Sequence, residues 1–195
     1  MPDAAGTVAE DADAVLMRRF AQGDASAFET LYRRHETGVW RFIHRSVASR
    51  AIADELMQDV WFAVVQAAPR YQPSARFTTW LYTLARHRVI DAHRRARPQQ
   101  SLDAPDADGT PLVERLAAVG DDEPLRERTR DEQSAALRAA LASLPPEQRE
   151  AFLLQAEGGL GVEDIARATG VGFETVKSRL RYARARLQQA LREHA

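Results

Sequence analysis

Between Thr175 and Arg192 the chain places six cations (Lys177, Arg179, Arg181, Arg184, Arg186 and Arg192) and not one acid. A solvated surface helix interleaves signs, because opposite charges three or four residues apart support it. A helix lying in the major groove of DNA needs the reverse. It needs cations toward phosphate and hydrogen-bonding groups at its N-terminal end toward base edges. Thr175, Lys177, Ser178 and Arg181 stand at that end, with Arg179 and Tyr182 among them. Arg184 and Arg186 fall further along, where the phosphate backbone is the nearer target.

A second stretch has a different chemistry. From Arg76 to Arg97 there are six arginines and one aspartate, mixed with Phe77, Trp80 and Tyr82. Splayed bases need flat surfaces and their backbone needs cations, so arginine with aromatic residues suits single-stranded DNA. A third stretch is acceptor-rich. With Leu56, Val60 and Val64 turned inward on a helix, Asp54, Glu55, Gln58 and Asp59 face outward, a plausible mate for an arginine-rich partner helix. Composition alone leaves solvated faces open as the alternative for each of the three.

Catalytic chemistry finds no foothold. The chain has no cysteine, which removes thiolate metal sites, disulfides and cysteine nucleophiles together and suits a reducing compartment. Five scattered histidines (His35, His44, His87, His93 and His194) share no metal-ligand spacing. Neither a glycine-rich phosphate loop nor a nucleophile motif occurs. The expectation is a protein that is not an enzyme, with no metal, no cofactor and no small-molecule substrate. No apolar run approaches the roughly 18 residues of a membrane span, and the start of the chain is acidic. No membrane insertion is expected, and no signal peptide.

The elements that must hold these residues are helical. Apolar residues recur at three- and four-residue steps, as Phe28, Leu31, Tyr32, Val39, Phe42, Ile43 and Val47, and again as Leu56, Met57, Val60, Trp61, Val64 and Val65. A short helix precedes them over Ala12–Gln22, ending at Gly23. Ser26 and Glu29 are spaced as a capping box for the second helix, and Thr78 is placed to cap a fourth that turns Leu81, Leu84, Ala85 and Val89 inward. Pro69 and Pro73 force a loop between the third and fourth. Further on, helices are expected from about Asp131 to Leu144 and over Glu147–Glu157, Val162–Ala168 and Glu174–Glu193. Ala166, Gly170 and Val176 have the spacing of a helix-turn-helix, with Gly170 where a left-handed turn is required. Nothing alternates with period two, so the fold class expected is all-α.

Charge divides the chain as the helices do. The total of −1 conceals +3 over residues 1–97, −6 over 98–133 and +2 over 134–195. Residues 1–11 read as a disordered tail, 12–97 as one small helical domain and 131–195 as a second. Residues 98–130, with Pro98, Pro105, Gly109, Pro111, Gly120 and Pro124 among acids, read as a flexible acidic linker.

Two stretches also resemble a family. Thr175-Val176-Lys177-Ser178-Arg179-Leu180 with Ala183-Arg184 is similar to the terminal DNA-binding region of bacterial RNA polymerase sigma factors, most of all their extracytoplasmic-function group. Ala53 to Trp61 resembles that family's polymerase-docking helix, and Arg76 to Asp91 with Arg94-Arg95 its region for melting and reading the −10 element. The resemblance implies a region 2 domain over 12–97 and a region 4 domain over 131–195. It implies core-polymerase contacts at Asp54, Glu55, Gln58, Asp59 and Trp61, made with the β′ clamp helices, and a region 4 contact with the β flap. It implies −10 contacts at Tyr71, Arg76, Phe77, Thr78, Trp80, Arg86, His87, Arg88, Arg94 and Arg95. The −35 contacts implied are Thr175, Lys177, Ser178, Arg179, Arg181, Tyr182, Arg184 and Arg186. Two positions depart from the family's usual residues: Tyr182, where a basic residue is common, and His87, where asparagine is usual. Core RNA polymerase, promoter DNA and an anti-sigma factor are the partners implied, and the cytoplasm the location. The rival reading is a stand-alone helix-turn-helix regulator with a helical sensor domain and no polymerase contact.

Overall fold

The computed structural model describes residues 11–96 and 135–192, and among these there are helices and no strand. The tail before Asp11 and the acidic segment 98–130 lie outside the described residues. In chain order the elements are α1 (Ala12–Ala21), α2 (Ala25–His44), α3 (Arg50–Ala67), a 3-10 turn (Ala68–Arg70), α4 (Phe77–Ala96), α5 (135–142), α6 (Pro146–Gly158), α7 (Val162–Thr169) and α8 (Phe173–Arg192). No helix among the described residues is long and apolar enough to cross a membrane.

Local signals set most boundaries, but two caps differ from expectation. Asp24, not Ser26, caps α2: its side chain accepts from the Ser26 and Ala27 amides, and the Ser26 hydroxyl donates to it at 2.6 Å. A carboxylate outcompetes a hydroxyl here because it accepts several donors and carries the charge that a helix N-terminus favours. Donors from Ser26, Arg19 and Ala27 together hold Asp24 down to a pKa of about 2, with the Ser26 hydroxyl first and Arg19 next. Nor does Thr78 cap α4. The helix starts one residue earlier, and the Phe77 amide donates 2.6 Å to Oδ2 of Asp11, far away in sequence. Ser49 caps α3 by accepting from Ile52.

The first four helices close on a core of Met17, Leu31, Phe42, Ile43, Leu56, Val60, Val64, Phe77 and Leu81. Val65 was expected on the same stripe but is 41% exposed. The buried set 53, 56, 57, 60, 61 and 64 already fills the arc facing α2 and α4, and Val65 falls beside it. In the second half Leu153, Leu154, Leu160, Ile165, Val176 and Leu180 form the core, joined by Ala140, Leu141 and Leu144.

The two halves are not held apart; α6 packs on α2 and α4, and α7 on α4. Tyr82 is the pivot. Its ring is buried against Phe42, and its hydroxyl donates to the Glu157 carbonyl at 2.6 Å. Burial pushes that phenol's pKa well up, so it is protonated and a donor throughout the ordinary range. Arg45 pairs with Glu157, and Arg86 lies 2.8 Å from Glu150. Gly38 makes the approach feasible: a Cβ there would stand 2.6 Å from the Tyr82 hydroxyl and 3.0 Å from the Glu157 carbonyl oxygen.

Candidate nucleic-acid and polymerase interfaces

The helix-turn-helix follows from a few residues. Gly170 ends α7 with φ +72, a left-handed conformation that a side chain would strain, and its amide returns 2.9 Å to the Ala166 carbonyl. Val176, Leu180, Ala183 and Leu187 then bury one stripe of α8 against α6 and α7. The charged residues that remain outward beyond Glu174 are all cations. Thr175, Lys177, Arg181, Tyr182, Arg184 and Arg186 are exposed, and Ser178 and Arg179 half-buried. All eight expected −35 residues therefore belong to one helix, around a buried spine.

Several of these side chains already have partners. Lys177 Nζ sits 3.1 Å from Glu174 and 5.4 Å over the Phe173 ring. The Arg181 guanidinium lies 4.9 Å from the Tyr182 ring centroid and donates to its hydroxyl at 3.2 Å, while Arg184 donates to Gln155 at 2.5 Å. Each contact is solvent-accessible and weak enough to exchange for phosphate or a base edge. Sequence reasoning passed over Phe173, 44% exposed at the first turn of this helix. An aromatic residue at the N-terminal end of a basic helix was the available signal.

On α3, Asp54, Glu55 and Gln58 face solvent and Asp59 is half-buried, so the helix does present an acceptor face. Asp54 is tied within it, accepting from Trp40 Nε1 at 2.9 Å with Arg50 3.7 Å away. Trp61 behaves differently from its expected companions. It is 6% exposed, wedged against Phe28 and Tyr32, and so supports the surface from below. Beside the acids stands an apolar pair whose exposure sequence reasoning missed: Phe62, 64% exposed, with Val65. Phe62 follows Trp61 but breaks the inward stripe, which marks an aromatic residue turned to solvent. Phe28, Tyr32, Met57 and Gln58 complete a shallow apolar groove along this face.

The third surface is the loop before α4 and α4 itself. Arg76, His87, Arg94 and Arg95 are exposed; Tyr71, Thr78, Trp80, Arg86 and Arg88 are half-buried; Phe77 is fully buried. Phe77 packs at an angle on His35, Tyr71 and Trp80, with centroid distances of 5.5, 6.2 and 5.6 Å. Its ring therefore belongs to the core and sets the position of its neighbours. Tyr71 also lies 5.2 Å edge-on to Trp80, and burial raises its phenol to about 12. Arg86 is held by Glu150 of the other half, and Arg88, Arg94, Arg95 and Asp91 line an open depression with Asp59 and Phe62 of α3.

Comparison with known proteins gives the arrangement its place. Residues 31–99 match the family model for sigma-70 region 2, and residues 134–187 that for sigma-70 region 4. The chain is 32% identical to the ECF RNA polymerase sigma factor SigM of Mycobacterium tuberculosis, over 93% of this chain and 86% of the relative. It is likewise 32% identical to the RNA polymerase sigma factor CarQ of Myxococcus xanthus, over 91% and 96%. In fold it is similar to CnrH, solved in complex with the cytosolic domain of CnrY, with a TM-score of 0.68 and 22% identity, covering 95% of this chain and 100% of that one. It also resembles the sigma factor RpoE of Bartonella quintana, solved with the anti-sigma factor NepR, with a TM-score of 0.61, 21% identity and coverage of 85% and 96%. Both regions occur here in the family's order, which the stand-alone regulator lacks, and the chain belongs to the ECF group of sigma-70 RNA polymerase sigma factors.

Proposed function

We propose that this sigma factor reads its promoter with two surfaces and holds the polymerase with a third. Helix α8 enters the major groove of the −35 element. Thr175, Lys177, Ser178, Arg179, Arg181 and Tyr182 face base edges there, and Arg184 and Arg186 hold phosphates. The loop before α4 and α4 itself take the −10 element as a single strand: Tyr71 and Trp80 offer rings, Arg76, Arg86, Arg88, Arg94 and Arg95 follow the backbone, and Thr78 and His87 supply polar contacts. Phe77 acts from within that surface, as Trp61 does beneath the polymerase-facing helix. Asp54, Glu55, Gln58 and Asp59 dock on the arginine-bearing clamp helices of β′, with Phe62 and Val65 adding apolar area. Region 4 meets the β flap.

The observation that carries this reading is the segregation on α8, where every charged residue after Glu174 is a cation and the buried spine is wholly apolar. Residues 12–97 and 131–195 are the working domains, and 98–130 connects them. The 36 residues from 98 to 133 reach at most about 120 Å when extended. That covers several turns of duplex at about 34–36 Å each. An anti-sigma partner would act by occluding both domains, and the whole cycle belongs in the cytoplasm, with no catalytic step by the chain itself.

Run-off transcription with purified core polymerase tests the reading. Core enzyme with this chain should initiate at specific promoters that core alone ignores. No added initiation at any promoter, from core that responds to another sigma factor, would overturn it. Asp59→Arg should abolish co-purification with core while leaving the circular dichroism melt unchanged.

A further inference from the structure

The carboxylate of Asp11 does two jobs at once. Its Oδ1 accepts from the Asp13 amide at 3.1 Å and caps α1, while its Oδ2 accepts from the Phe77 amide at 2.6 Å and caps α4. Helix α4 has no local substitute. Arg76 precedes it and carries no acceptor, and Thr78 already lies inside the helix.

The same N-terminal helix touches the other end of the loop. Helix α1 packs on the turn Ala68–Arg70, which leads into residues 71–76, and Asp11 holds the residue that leads out. The brace is anchored in turn. Asp13 accepts from Arg34 and lies 2.8 Å from His35 Nε2, and the His35 ring packs on Phe77. A six-residue loop pinned at both ends has few conformations left, so the position of α1 decides where Tyr71 and Arg76 stand.

We propose that Asp11 is a positioning residue for promoter reading: by capping α4 from across the chain, it fixes the loop 71–76 and the first turn of α4 in the geometry that discriminates −10 bases. This rests on the reading of that loop and α4 as the −10 surface. A carboxylate at the end of α4 also repels phosphate from an otherwise anion-attracting site, which leaves the strand's backbone to Arg76 and the arginines further along.

The test uses full-length Asp11→Ala and Asp11→Asn chains as holoenzyme with core polymerase. The probes are two promoter panels, one with single substitutions in the −10 element and one in the −35 element. Run-off yield and permanganate reactivity of the melted strand are the readouts. Asp11→Ala should reduce discrimination among −10 variants at least about five-fold while −35 discrimination stays as in the wild type. Asp11→Asn, which retains one acceptor oxygen, should fall between them, and it serves alone if the alanine variant does not fold. Ser49→Ala removes the cap at the start of α3, remote from the loop, and should leave discrimination in both panels unchanged. A uniform loss at every promoter, tracking a lower melting temperature, would show Asp11 to be a stabilising cap and overturn the proposal. Arg76→Ala separates the two levels of inference. If it shifts −10 preference and Asp11→Ala does not, only the brace is wrong; if neither does, the −10 surface itself is misplaced.

Discussion

The two helices proposed to meet DNA, α8 and α4, reach similar chemistry by different construction. In α8 every proposed contact lies within twelve consecutive residues, around a spine of Val176, Leu180, Ala183 and Leu187 supplied by the same helix. Most of its cations are exposed, and their partners lie on α8 itself or on Gln155 of α6. The α4 surface is assembled. Its first amide is capped by Asp11, its Phe77 ring packs on His35 of α2, and Arg86 is engaged by Glu150 of the other half. Double-stranded DNA presents fixed edges that a rigid helix can meet unaided. A melted strand has to be caught in a shaped surface, and shape comes from several elements at once.

The largest expected effect removes the ring on which the assembled surface rests. Phe77→Ala should cost about 3–5 kcal/mol in chemical denaturation, since Phe77 is completely buried. Use of the −10 element should fail with it. A variant that melts like the wild type would break the contrast, because α4 would then be as self-sufficient as α8. Next, Arg181→Ala should leave the melt unchanged but cost about 1–3 kcal/mol of discrimination at one base pair of the −35 duplex. Equal losses on every duplex in a binding assay would instead make Arg181 a phosphate contact.

A smaller effect belongs to the contact between the halves. Glu150→Ala releases Arg86, a partly buried pair at 2.8 Å. Binding of a single-stranded −10 oligonucleotide to the free chain should tighten by about 1 kcal/mol or less. Unchanged binding would mean that Arg86 does not meet the strand. The smallest is a pH effect in the first half. Asp24 titrates at about 2 in the folded chain against 3.8 as its ordinary value, so its contribution is complete above about pH 4 and disappears as pH falls toward 2. Asp24→Asn retains a capping side chain but not the charge, so it should flatten that acid limb of the stability curve by lowering neutral stability toward the acid value.

What could be read from the chain was what neighbours in sequence decide. The stripe of α8, the purity of its charge, the turn at Gly170 and the outward acids of α3 all follow from residues within two or three helical turns of one another. What could not be read was long in range. No local rule connects Asp11 to Phe77, 66 residues on, or Tyr82 to Glu157, 75 residues on. The same reason turned the expected cap at Thr78 into a position inside the helix. Trp61 fell between the two cases. The family resemblance implied a contact residue there, while its burial depends on Phe28 and Tyr32 of another helix.

Gly38 lies inside α2, where alanine is the better helix former by about 1 kcal/mol. Yet one added methyl would crowd the Tyr82 phenol and the Glu157 carbonyl together, and something there must shift. Gly38→Ala is thus a wedge: it strengthens the helix that carries it and pries the two halves apart, without altering any side chain proposed to meet DNA or polymerase.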